Sequence, residues 1–167
     1  MKKLIGVALL AGLCGGLAEM GWIALYSSAS STSAVGVARE ITATVFSTAA
    51  YAPWAPLAGI GIHLALSVVL GLAFLLALLG FSRTAPTGPA VWISAVVALT
   101  GIWAVNFLWV LPALNPAFVT LMPYAVTLAS KVLFAIAMAG VLQFTVADRP
   151  GRRGLVAASP SHYPFER

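Results

Sequence analysis

Charge is what this sequence has least of. Nine Lys and Arg and four Asp and Glu among 167 residues make it 8% charged, against about a quarter in soluble domains. So few charges cannot cover a water-exposed surface, and 61% apolar residues with a mean hydropathy of +1.01 place the chain in a bilayer. Cysteine is nearly absent too: Cys14 stands alone, which excludes an intramolecular disulfide and any paired-thiol metal motif. No HxxxH, CxxC or methionine cluster occurs at ligand spacing, so no metal or other cofactor is expected. Catalysis lacks its usual signatures as well. There is no GxSxG, no HExxH and no glycine-rich phosphate loop, and an enzyme is not expected. The basic residues Arg149, Arg152 and Arg153 suit anionic lipid headgroups better than nucleic acid.

What is present is long apolar runs. A helix crosses the hydrocarbon core with roughly 20 mainly apolar residues, and four segments qualify, at about 4–26, 56–80, 90–111 and 123–146. The expected fold is an all-α membrane protein, a four-transmembrane-helix bundle over residues 1–146, with a mostly disordered cytoplasmic tail over 147–167. Lys2, Lys3, Arg83, Arg149, Arg152, Arg153 and Arg167 fall in the termini or the 81–90 connection, whereas the other two connections hold only Arg39. The positive-inside rule therefore puts both termini on the cytoplasmic side of a cell inner membrane. The basic start and apolar run also fit a secretory signal cut near Ala29, but Glu19 and the length of the run favour a span. A lipoprotein reading meets Leu13 before Cys14, where Gly or Ala is wanted.

Small residues mark the packing faces. Ala8, Gly12 and Gly16 recur every four positions in the first span, and Gly59, His63, Ser67 and Gly71 do so in the second, the spacing that lets helices approach closely in lipid. Between these spans, the Ser31 to Ser33 cluster offers an N-cap for a short helix lying on the outer interface, with Arg39 and Glu40 at the water. FSRTAPTGPA reads as a turn, and PALNPAFVTLMP, with three prolines, as a compact outer loop. Trp22, Tyr26, Tyr51, Trp54, Trp109 and Tyr124 fall near the outer span ends, as an interfacial aromatic belt requires.

Lys131 lies well inside the fourth span, where a cation costs on the order of 2.5–3.5 kcal/mol and needs a partner. Hydroxyls aside, the other spans offer Glu19, His63 and Asn106. Measured from Tyr26, Pro56, Pro112 and Pro123, all four lie about 9–12 Å inward. One buried polar layer follows, with Glu19 and Lys131 as an ion pair completed by His63 and Asn106, and with Trp22, Arg39, Trp109 and Asn115 supporting it on the outer face. The halves also read as parallel hairpin repeats, Glu19-x-x-Trp22 matching Asn106-x-x-Trp109. Two readings of the layer stay open: a structural layer in an accessory membrane component, or a proton or small-solute site in an oligomeric transporter. Partners are the lipid bilayer, and either further copies of the chain or a larger membrane protein.

GGLAEMGWIALY, GIHLALSVVLGLAF and WAVNFLWVLPALNPAFVTLMPYAVTLASKVLF resemble a group of small four-helix bacterial inner-membrane proteins of unknown function, over most of residues 8–144. Some of that group carry a sodium:proline symporter name, although symporters of that class have ten or more helices. The resemblance implies that Glu19, Arg39, His63, Asn106, Pro112, Asn115, Pro116, Pro123 and Lys131 belong to the group's pattern. It implies no activity.

Overall fold

The computed structural model describes residues 2–49, 51–81 and 88–147. Most of the turn expected after Phe81 and all but the first residue of the expected tail lie outside these. Among the described residues, four helices are long and apolar enough to cross a membrane: Lys3–Ser28, Ala55–Gly80, Pro89–Leu114 and Tyr124–Thr145. In hydrocarbon every backbone N–H and C=O must find its partner within the segment, which leaves such runs only the helix.

In chain order the elements are α1 (Lys2–Ser28), α2 (Ala34–Val45), a 3-10 turn (Ser47–Ala49), α3 (Ala55–Phe81), α4 (Pro89–Val105), a π-helical segment (Asn106–Val110), α5 (Leu111–Leu114), α6 (Pro116–Leu121) and α7 (Tyr124–Ala147). Their ends follow local chemistry. Ser33 caps α2, its hydroxyl accepting from Gly36 N at 3.2 Å. Gly88 takes φ 73° and hands the chain to Pro89 in the first turn of α4. The third span ends less regularly, because Pro112 has no N–H to offer the preceding turn. The helix widens there, with Leu111 N donating to the Asn106 carbonyl. Asn115 then breaks the helix and caps α6, accepting from Phe118 N at 3.2 Å. The proline-rich loop is thus two short helices.

α1 and α7 form the central pair; α3 packs along α1, and α4 along α7. Neighbours run antiparallel. A Cβ on Gly12 or Gly16 would strike Ser67, and one on Gly71 would meet Ala8 and Gly12, so both small-residue stripes meet in the α1–α3 seam. Gly15 faces another way, against the Phe134 ring of α7. The Gly59 end of the α3 stripe is covered by α2, since a Cβ on Gly59 would strike the Ala38 carbonyl. α2 buries Val37, Ala38 and Thr42, and the Thr42 hydroxyl donates to the Ala55 carbonyl.

The four spans do not close into a ring of like contacts. α3 and α4 share no extended contact, although Phe74 joins Leu99, Phe134 and Met138 in one buried core. Glycines on two faces of α1 let it hold two neighbours closely, whereas α4 contributes the larger side chains Val91 and Leu99 to the core it shares with α7. Trp103 stacks on Phe107 with centroids 5.8 Å apart and meets the Tyr124 ring edge-on at 6.2 Å, an aromatic cluster that fills the end of the molecule bearing α6.

Candidate functional site: a buried ion pair between spans

α1, α3 and α7 each bring one ionisable side chain to a common point. Glu19 follows the Gly15–Gly16 pair by about one turn, so its carboxylate emerges where α1 is pressed between both neighbours. It is 8% exposed. Lys131 Nζ lies 2.7 Å from Glu19 Oε2, a charge-assisted hydrogen bond between side chains that are 13% and 11% exposed. The other carboxylate oxygen, Oε1, is 3.1 Å from Ser130 Oγ. That hydroxyl also lies 2.7 Å from the Thr127 carbonyl, so its one proton is shared between two acceptors. Lys131 Nζ stands 5.6 Å from the Phe134 ring centroid, a distance at which the ring face adds attraction for the cation.

His63 completes the triangle. Its Nε2 is 4.0 Å from Glu19 Oε2 and 3.2 Å from the Gly16 carbonyl. A carbonyl only accepts, so in a neutral ring Nε2 carries the proton and Nδ1 is the unprotonated nitrogen. A second proton would charge the imidazole beside a carboxylate that Lys131 already holds. Ser67, one turn further along α3, donates to the His63 carbonyl at 2.7 Å.

Asn106 does not join this layer. No described residue bonds its side-chain amide, and it lies in an open groove on α4 with Ala98, Gly101, Ile102, Val105 and Val110. The reason is topological: α4 packs on α7 without an extended contact to α1, and Trp103 and Phe107 occupy the contact face at that depth. Depth alone had grouped four residues of which three converge.

Of the supporting residues, Trp22 donates from Nε1 to the Val126 carbonyl at 3.0 Å and ties α1 to α7 one turn beyond the ion pair. Trp109 is 74% exposed. The tryptophan that bonds α7 from the α4 side is instead Trp103, whose Nε1 donates to Thr127 Oγ1 at 3.0 Å. The two halves therefore do not repeat each other's contacts at Trp22 and Trp109. Asn115 sits apart from the ion pair, its Nδ2 2.9 Å from Glu40 Oε2 and 3.2 Å from Thr44 Oγ1, joining α6 to α2. Glu40, expected at the water interface, is half-buried and accepts from Asn115. Arg39 beside it is half-buried.

Sequence reasoning missed Ser130 and the Gly16 carbonyl. Ser130 is the immediate neighbour of Lys131, and a hydroxyl next to an intramembrane cation was the available signal. The Gly16 carbonyl was signalled only indirectly, by the close-approach stripe in which Gly16 lies, where the missing side chain lets His63 reach the backbone. Among the described residues, no three His, Cys, Asp or Glu side chains gather as a metal ion would require.

Among the described residues the fold is all-helical, and its four candidate spans fit a multi-pass membrane protein. No protein-family model, curated protein or solved structure matches the chain.

Proposed function

We propose that this chain is a structural or accessory component of a cell inner membrane, without catalytic activity, whose ion pair fixes how α1 and α7 pack. One observation carries the reading. Adjacent residues of α7, Ser130 and Lys131, address the two oxygens of one α1 carboxylate, at 3.1 and 2.7 Å. A slip of either helix by a turn, about 5.4 Å, would break both contacts and strand two charges in hydrocarbon. Such a layer selects one register and one neighbour. In this reading both termini are cytoplasmic, in keeping with Lys2 and Lys3 at the start and the arginines near the end. α2 then lies at the outer interface, and each half of the chain contributes one antiparallel hairpin pair, α1 with α3 and α4 with α7.

A second reading, a proton-coupled small-solute transporter, is favoured by His63: a titratable ring 4.0 Å from an engaged carboxylate is the arrangement a proton relay uses. Reconstitution into vesicles under a pH gradient separates the two. The structural reading expects no solute or proton flux above that of protein-free vesicles. Flux that is lost in Glu19→Gln while the fold is retained would overturn it in favour of transport.

A further inference from the structure

Away from Lys3 at the very start of the first candidate span, the groove on α4 is where a strongly polar side chain of a candidate span has no partner among the described residues. It is open, about 480 Å³, and Asn106 is the polar side chain among its lining residues. Its neighbours Ile102 and Val105 are 41% and 49% exposed. Gly101 is open as well, with nothing within 4 Å of where a Cβ would stand. Asn106 lies eight residues inside the end of α5, about 12 Å at 1.5 Å per residue, a depth at which water does not serve the amide.

We infer that this groove is the contact between two copies of the chain, with Asn106 of each copy hydrogen-bonded to the other. Acyl tails offer an amide nothing. An amide carries both donors and acceptors, so two of them facing across a two-fold axis each donate and each accept. Gly101 lets the second helix come close, and its openness within one copy marks it as unused by the monomer's own packing. The inference rests on the membrane-spanning reading and gives the expected oligomer a definite face.

The test uses Cys14→Ala protein in vesicles of phosphatidylethanolamine and phosphatidylglycerol, with insertion scored separately by resistance to alkaline extraction. Failure to insert would overturn the membrane reading itself. In inserted protein, a bismaleimide is expected to join copies through Val105→Cys but not through Leu66→Cys, on the exposed side of α3. Energy transfer between labelled copies during lipid dilution gives the affinity. Asn106→Leu is expected to weaken association about tenfold, as the loss of one to two intramembrane hydrogen bonds implies. Gly101→Leu, whose side chain meets open space within the monomer, is expected to abolish association while helicity and insertion persist. Monomers at every dilution, equal cross-linking through Leu66→Cys, or undiminished association of Asn106→Leu would each overturn the inference.

Discussion

Lys131→Met is the sharpest perturbation of the proposed clamp. It removes an ammonium 2.7 Å from Glu19 Oε2 while keeping an unbranched side chain of similar length in the α7 face. The carboxylate then keeps only a share of the Ser130 proton, at 3.1 Å, and an imidazole at 4.0 Å whose Nε2 is already directed to the Gly16 carbonyl. Deleting one member of a buried pair costs about 3–5 kcal/mol. Because the two side chains retain 11–13% exposure, the lower end applies, about 3 kcal/mol. Loss of the Phe134 ring contact adds about 0.5–1 kcal/mol. Glu19→Met together with Lys131→Met removes both charges, and the double variant is expected to lie within about 1 kcal/mol of the native protein. The double-mutant cycle therefore carries a coupling of several kcal/mol. Reversible unfolding in mixed micelles, followed by helicity, measures all of this. A single variant as stable as the native protein, or a double variant no better than the single, would refute the clamp.

Gly12→Val places a branched Cβ against the Ser67 backbone of α3 and is expected to cost about 1–3 kcal/mol or to part α1 from α3. Gly61→Ala, which meets nothing within 4 Å, is expected to be neutral or slightly stabilising in the same unfolding assay. Asn115→Ala removes the cap of α6 together with the hydrogen bonds to Glu40 and Thr44, and should cost about 1–2 kcal/mol. Faster amide exchange at Phe118, with α1 and α7 unaffected, would show the loss to be confined to the α2–α6 cap.

Composition and run length were enough to mark four candidate spans, since apolar runs of this length have no other way than the helix to satisfy their backbone in lipid. The close-approach faces were legible too. A Gly–Ala–Ser spacing of four places small residues in one line whatever the neighbour, and Gly12, Gly16, Ser67 and Gly71 lie in that seam. The need of Lys131 for an anion could be read from the cost of a bare charge, and Glu19 was the one carboxylate inside a span. What only the tertiary structure decided was lateral order: which helices touch. Glu19, His63 and Asn106 lie at similar depths, but depth is a one-dimensional coordinate, and convergence also requires adjacency in the membrane plane. α1 stands between α3 and α7, so His63 and Lys131 both reach Glu19, while α4 lies against α7 with its Asn106 facing a groove. Adjacency depends on the shapes of whole helix faces pressed together, a property that no single residue carries.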